Sequence, residues 1–414
     1  MSLFVYNICM RAYYVAILLL SPFHIKAKKW ISGRKNIFQK IEEKLVTSEK
    51  RIWVHCASLG EFEQGRPLIE KIKKERPNLK IVLTFFSPSG YEIRKNYPLA
   101  DYVFYLPLDT ALNAQKFVSL VNPIQVVFVK YEFWYHYTSV LYKKETPFFY
   151  ISAVFRPSQY FFSRFGAWYR EILKKSTCIF VQDLQSKQLL NKNGIEQVDV
   201  SGDTRFDRVL EIAAARPKMP FMEEFIGNAS ILVAGSTWPE DENYLFSLFQ
   251  NPMAEPYKWI IAPHEISEMR MTHLLKKWGP QAVRLSSLSI ENAHDAKVLL
   301  VDNIGQLAYL YAFGKMAYVG GGFGKGVHNI LEAAVYGIPV FFGPNHLKSR
   351  EALALKEKAC AFPFANTEAF LSAFDSINGH PDVQNQMKAA LKVYFQDESG
   401  ATLQIFQKMQ EMGL

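Results

Sequence analysis

Two carboxylates stand where short apolar runs give way to turns. Glu61 closes Trp53-Val-His-Cys-Ala-Ser-Leu-Gly-Glu61, and Glu132 sits in Lys130-Tyr-Glu-Phe-Trp-Tyr135. A carboxylate in the first turn of a helix is held ionised by the helix dipole and can act as a general base. The same residues also spell a capping box, Ser58-x-x-Glu61, which needs no catalysis. Both readings stay open on sequence. Glu132 occupies the equivalent rim position after the run 125–129. Arg156 and Arg205 follow later runs and could hold anionic groups of a substrate.

The densest segment is Met316-Ala-Tyr-Val-Gly-Gly-Gly-Phe-Gly-Lys-Gly-Val-His-Asn-Ile-Leu-Glu332. An apolar run leads into five glycines within seven residues and then into a helical pattern that stops before Gly337. Glycines let a backbone approach a ligand closely, and a helix start offers free N–H groups to an anion. His328 and Glu332 are four apart, which predicts one helix face. There the Glu332 carboxylate could accept both hydroxyls of a ribose while the helix start holds its phosphate. The segment is neither a P-loop, since Lys325 is followed by Gly326, nor a GxGxxG fingerprint. Ser236-Thr237 and Pro263-His264 end two further runs and would put polar groups at a rim, although a helix N-cap suits Ser236 or Thr237 equally. The chain has no D-x-D, no metal-spaced His/Asp/Glu cluster and no G-x-S-x-G, which disfavours metal-dependent transfer and an α/β-hydrolase.

The elements that must hold these residues are legible as alternation. Runs 51–56, 81–85, 125–129, 148–151 and 178–181 read as buried strands, with helical patterns such as 65–76 and 160–175 between them. A second series runs through 231–234, 259–262, 298–301, 316–319 and 339–342. Near-continuous apolar strands alternating with helices predict an α/β fold: doubly wound parallel sheets covered on both faces. With 414 residues, 49% hydrophobic, the chain suits two domains of roughly 150–200 residues. They would face each other across a cleft, with ligands outside the carboxyl ends of the strands. The Ala- and Pro-bearing stretch 213–220 is the expected linker. Four cysteines without a CxxC pair argue against a disulfide scaffold.

The net charge of +9 is local. Residues 1–40 hold seven Lys/Arg (Arg11, Lys26, Lys28, Lys29, Arg34, Lys35, Lys40) and no acid, while the remainder is nearly neutral. That distribution argues against nucleic acid as a partner. Residues 3–20 are apolar except for Asn7 and Arg11, and a helix of that length just matches a bilayer core. Arg11 would cost about 2.5–3.5 kcal/mol at mid-span, so an interfacial helix competes with a full span. The basic flank predicts a body on the cytoplasmic side, beside anionic lipid.

Taken together, five segments resemble the Kdo (3-deoxy-D-manno-octulosonic acid) transferases of lipid A and lipopolysaccharide biosynthesis, a GT-B glycosyltransferase family. They are His55-x-x-Ser58-x-Gly60-Glu61, Gly202-Asp-Thr-Arg-Phe-Asp207, Ala234-Gly-Ser-Thr237, Asp302-Asn-Ile-Gly305, and Val319-Gly-Gly321 with His328-Asn-x-Leu-Glu332. The resemblance implies a membrane-anchoring segment over 1–40, an acceptor-side Rossmann-like domain over 41–212 and a CMP-Kdo-binding domain over 221–414. It implies Glu61 as proton acceptor, with Glu132 and Arg205 stabilising the transition state. Donor contacts would come from Ser236, Thr237, Pro263, His264, Ile304, Gly305, Gln306, Gly321, Gly322, His328, Asn329, Ile330, Leu331 and Glu332, and acceptor contacts from Ser58, Gly60 and Arg156. The implied reaction is metal-independent and inverting, without a cofactor. It would carry Kdo from CMP-Kdo to the lipid A precursor (lipid IVA) beside inner-leaflet lipids, at the cytoplasmic face of the inner membrane of a Gram-negative bacterium. Three positions depart from the family pattern: Lys130 where Glu is usual, Arg205 for Lys, and His264 for the Arg of Pro-Arg-His. A GT-B enzyme using a UDP-sugar, such as an amino-sugar transferase or an epimerase, is the alternative. A non-catalytic sugar-nucleotide sensor is a weaker one.

Overall fold

The computed structural model describes residues 3–163, 166–215 and 217–414. Two parallel seven-stranded sheets organise them. The first contains β1 (Arg51–Cys56), β2 (Lys80–Phe85), β3 (Tyr102–Tyr105), β4 (Pro123–Val129), β5 (Phe148–Ala153), β6 (Cys178–Val181) and β7 (Val198–Val200). Its order is β3-β2-β1-β4-β5-β6-β7. The second contains β8 (Ser230–Thr237), β9 (Tyr257–Pro263), β10 (Ala282–Arg284), β11 (Val298–Leu300), β12 (Met316–Val319), β13 (Val340–Phe342) and β14 (Ala361–Pro363). Its order is β10-β11-β9-β8-β12-β13-β14. Strand order therefore reverses between β1 and β4 in one sheet and between β8 and β12 in the other. Such switch points open a crevice at the carboxyl ends of the strands, where ligands bind in doubly wound folds.

Alternation along β1 shows both faces of its sheet buried. Trp53 enters one core with Val82, Phe117 and Phe128. Ile52, Val54 and Cys56 enter the other with Phe62, Leu68 and Val127. β3, β7, β10 and β14 escaped the sequence reading, and all four are sheet edges. Each is three or four residues long with at least one partly exposed position, so none forms the continuous apolar run that marks a central strand.

The chain divides into two compact units. One runs to Arg208 and also takes in Glu398–Leu414; the other is Val209–Asp397. This differs from a second domain reaching residue 414. The closing helix Ala401–Glu411 puts Ile405, Phe406 and Met409 into the first unit's core, and Asp207 accepts from the amides of Gly400 (2.6 Å) and Thr402 (2.7 Å). The expected linker also begins late, because a helix continues over Thr204–Ala215; Arg216 lies outside the described residues. The helical pattern over 160–175 resolves into a 3-10 turn, Tyr160–Phe162, and a helix, Ala167–Leu173, residues 164 and 165 lying outside the described set. Gly166 is the break: a Cβ there would meet the Tyr160 carbonyl oxygen at 2.2 Å.

Three helices precede β1: α1 (Leu3–Leu20), α2 (Ile25–Arg34) and α3 (Ile37–Lys44). Of α1 only Tyr6 is buried. The basic flank is not a loose tail, because Trp30, Ile37 and Ile41 are buried. The Arg34 guanidinium lies 3.8 Å from the Trp30 ring centre and donates to the carbonyls of Leu106 (2.8 Å) and Phe86 (2.7 Å). Burial lowers its pKa to about 9.

Candidate active site

The first sheet brings two of the three predicted catalytic residues, Glu61 and Glu132, to the loops after its switch-point strands β1 and β4, whereas Arg205 follows the edge strand β7. β1 ends at Cys56, and Ser58 caps the helix α4 (Leu59–Glu75) by accepting from the Gly60 amide at 3.3 Å. The Ser58 hydroxyl in turn donates to the half-buried Glu61 carboxylate. The reciprocal capping box expected from Ser58-x-x-Glu61 does not form: Ser58 caps the helix through the Gly60 amide, and Glu61 accepts from the Ser58 hydroxyl rather than from its backbone amide. Burial raises the Cys56 thiol well above its usual range, with the charges of Glu61 and Glu132 adding to the effect. It stays a thiol, with both carboxylates gathered around its strand end.

Glu132 is held by a wired turn. Lys130, at φ +64°, takes a left-handed conformation that non-glycine residues seldom adopt, and its amide bonds the Ile151 carbonyl at 2.9 Å. The Glu132 carboxylate accepts from Trp134 Nε1 (2.8 Å) and pairs with Nε2 of the buried His55 (3.1 Å). His55 Nδ1 meets Thr84 Oγ1 at 2.8 Å, and that oxygen accepts from Trp53 Nε1 at 2.7 Å. An indole N–H only donates. Trp53, Thr84, His55 and Glu132 thus form one connected chain, and Trp134 Nε1, 3.3 Å from His55 Nε2, closes it beside the Glu132 carboxylate. His55 and Trp134 were present in the quoted motifs, but their bond to Glu132 spans 77 residues of sequence in one case and carries no local signature.

Arg205 donates through Nε to Asp203 at 2.9 Å and through its other nitrogen at 2.8 Å. Asp203 is buried and also accepts from Gln64 (3.0 Å) and Gln182 (2.8 Å). Burial would raise its carboxyl, but Arg205 and these amides hold it below the usual carboxylate range. Tyr131 sits among the group: burial pushes its phenol up, Arg156 opposes that, and Asp183, Asp203 and Glu61 add to it. Arg156 is exposed, as is Gly60. A groove of about 640 Å³ leads to Glu132 along Tyr131 and Trp134, with Tyr6 and Met10 of α1 on its wall.

In the second unit, Ser236, Thr237, Pro263, His264 and the glycine segment stand on β8, β9 and β12, around that sheet's switch point. Ser236 adopts φ +53° where the β8–β9 register shifts. Thr237 spends its hydroxyl on Glu242 at 3.0 Å. Asp241, which sequence reasoning passed over, is buried and accepts from the amides of Trp238 and Gly321, both at 2.9 Å, and from the Tyr318 hydroxyl. It staples the β8 loop to the glycine loop. Trp238 was also missed. Its ring stacks on His264 (4.6 Å), His264 stacks on His328 (4.4 Å), and Trp238 Nε1 donates to His328 Nε2 at 2.9 Å. His328 Nε2 therefore accepts, and its ring proton sits on Nδ1. Burial, with His264 close by, lowers its pKa to about 4, so the ring is neutral at pH 7.

Three expectations for this segment change. His328 and Glu332 do not share a helix face, because the helix is only Leu331–Ala334 and His328 lies in the loop before it. Asn329 fills the gap, donating to Glu332 at 3.0 Å and accepting from the Leu331 amide at 3.3 Å. The glycines serve protein packing as much as a ligand: a Cβ on Gly320 would lie 2.3 Å from the Ser236 carbonyl oxygen, and one on Gly322 2.5 Å from the Gly343 nitrogen. Ile330 and Leu331 are fully buried, so only their backbone could meet a donor. Ile304, Gly305 and Gln306 follow β11, beside β9, with Ile304 80% exposed. Among the described residues no group of three or more His, Cys, Asp or Glu is placed to hold a metal.

Two doubly wound parallel sheets, each with polar groups at its switch point, are the architecture of the GT-B fold. The fold agrees with solved structures: the chain is similar to UDP-GlcNAc 2-epimerase from Neisseria meningitidis (TM-score 0.61, 16% identity, covering 87% of this chain and 100% of that one). A putative UDP-N-acetylglucosamine 2-epimerase from Listeria monocytogenes is similar at TM-score 0.60 and 12% identity, over 88% of this chain and 97% of that one. At such identities the likeness speaks for fold alone. Sequence goes further. Residues 33–208 match the family model for 3-deoxy-D-manno-octulosonic-acid transferase (Kdo transferase). The chain is 29% identical over 330 residues to the 3-deoxy-D-manno-octulosonic acid transferase of Aquifex aeolicus, covering 78% of this chain and 84% of that one. It is 23% identical over 404 residues to that of Rickettsia bellii, covering 92% and 95%. The chain thus carries the Kdo transferase family domain over residues 33–208, is similar to Kdo transferases over most of its length, and is a glycosyltransferase.

Proposed function

We propose that this enzyme transfers Kdo from CMP-Kdo to a lipid A precursor of the lipid IVA type, by a single inverting displacement without a metal. The observation that supports it most is the pair of carboxylates at the β1/β4 switch point, inside the span that matches the family model. Glu61, oriented by Ser58, takes the proton of the acceptor hydroxyl. The freed oxygen bonds to the anomeric carbon of Kdo on the face opposite the phosphate, and the anomeric C–O bond breaks to release CMP. Glu132, wired through His55 and Trp134, and Arg205, aimed by Asp203, stabilise charge as it develops. On the donor side, the neutral His328 ring keeps an Nδ1–H to donate, and His264 stands where the family usually has Arg. The loop of Gly321 and Gly322, the Ile304–Gln306 turn and Asn329–Glu332 complete the CMP site; Ser58, Gly60 and Arg156 serve the acceptor. The acceptor is a membrane lipid, so we place the enzyme at the cytoplasmic face of a Gram-negative inner membrane, in contact with inner-leaflet lipids.

Thermal unfolding with nucleotides tests the donor. Millimolar CMP is expected to raise Tm well above the shift from UMP or UDP. Equal or greater protection by UDP would overturn the assignment in favour of a UDP-sugar.

A further inference from the structure

By length and composition α1 can cross a membrane, yet its contacts hold it along the protein. Near its start, the Tyr6 hydroxyl donates to Asp109, a carboxylate only 1% exposed that also accepts from the amides of His136 and Tyr137, both at 3.1 Å. Asn7 Oδ1 bonds His136 Nε2 at 2.7 Å, and the Tyr6 ring lies 5.3 Å from Trp168. Two turns later, Tyr13 stacks on Phe86 at 5.9 Å and meets Trp30 edge-on at 6.0 Å; Tyr14 lies 6.2 Å from Trp30. Phe86, Asp109 and His136 follow β2, β3 and β4. The helix thus lies across the carboxyl-end loops of the first sheet, touching them over about 12 Å of its length.

A span would need nearly all of α1, since its residues cover about 27 Å against a hydrocarbon core of about 30 Å. It would then carry the loops of Asp109 and His136, docked near the start of α1, into the far leaflet, or else pull Tyr6 and Asn7 away and strip two partners from buried polar groups. The remaining surface of α1 fits another arrangement. Phe4, Ile8, Val15, Leu18 and Leu19 are exposed, as are Phe23 and Ile25 after it. Lys26, Lys28, Lys29 and Lys35, also exposed, supply positive charge where anionic headgroups would lie.

We infer that α1 is a monotopic helix, docked on the first unit by Tyr6 and Asn7 and lying in one leaflet of an anionic bilayer, rather than a transmembrane span. Both ends of α1 then stay on the side of the membrane that holds the catalytic carboxylates. This goes beyond membrane attachment as such and does not depend on the identity of the donor.

The test reads depth, not turnover, so its failure is separable from failure of the transferase assignment. In the full chain with Cys9→Ser, spin labels are placed singly at Phe4→Cys and Leu19→Cys, and the protein is bound to vesicles containing phosphatidylglycerol. Relaxation by oxygen and by a water-soluble nickel chelate gives each label's depth. A monotopic helix puts both labels at similar shallow depth in one leaflet, relaxed alike by chelate added outside. A span puts one label beyond the reach of external chelate, and that result overturns the inference. Adding Tyr6→Phe is expected to increase the mobility of the label at position 4 while that at 19 changes little. Unchanged mobility at position 4 would refute Tyr6 as the dock.

Discussion

At the scale of single residues, the account turns on which side chains carry protons. Glu61→Gln keeps the size and the Ser58 contact but cannot take a proton. We expect intact folding and CMP binding with kcat lower by about 10²–10⁴-fold, the usual scale for a lost general base. Near-normal turnover in a variant destabilised by about 1 kcal/mol would instead leave Glu61 as a cap. Two buried groups predict opposite pH dependences of stability. His328 takes up a proton near 6.5 when unfolded but only near 4 when folded. Its contribution is complete above pH 6.5 and is lost as pH falls to 4. Asp109 is pushed up by burial from 3.8 to about 6, against the bonds it accepts from Tyr6 and the His136 and Tyr137 amides. Its contribution is complete below 3.8 and is lost as pH rises through 6. Urea titrations between pH 4 and 7 should show acidification costing wild type more than His328→Phe, and helping it more than Asp109→Asn. Parallel pH profiles would refute either assignment. Sequence marked Glu61, Glu132 and His328 because each lies in a compact local pattern. It could not mark Trp238 or Asp241 as partners of the glycine loop, because those contacts join residues 80–90 positions apart.

At the scale of elements, the central strands were readable because a strand buried on both faces is mostly apolar; β1, β6 and β12 begin and end where the apolar runs do. Edge strands such as β7 and β10 and the short helix after His328 carry no such demand. The closing helix illustrates a different limit. Which unit it covers follows from distant contacts such as Gln125, whose side-chain amide donates to the carbonyls of Met409 (2.9 Å) and Met412 (3.0 Å). Removing residues 398–414 should therefore destabilise the first unit, not the second. Ile405, Phe406 and Met409 are buried, and each such side chain is worth about 2–5 kcal/mol. We expect this truncation to lose cooperative unfolding of the first unit while CMP binding by the second persists. Loss of CMP binding with an unchanged first unit would contradict the assignment of that helix.

At the scale of the whole molecule, the two-unit plan was legible from two series of strands, while the boundary was not, since it falls within the helix Thr204–Ala215 and the chain returns at Glu398. The proposed division of labour assigns acid–base chemistry to the switch point of the first sheet, nucleotide recognition to that of the second, and the lipid acceptor to the side of the docked apolar helix. Its central claim is the reaction itself. The most direct measurement is release of CMP by the full-length protein in lipid vesicles, given CMP-Kdo with and without a lipid A precursor, and with EDTA throughout. The account predicts CMP release that requires the lipid, proceeds in EDTA, and yields one Kdo bound to lipid for each CMP formed. Release of UDP from a UDP-sugar under the same conditions, with CMP-Kdo left intact, would contradict it.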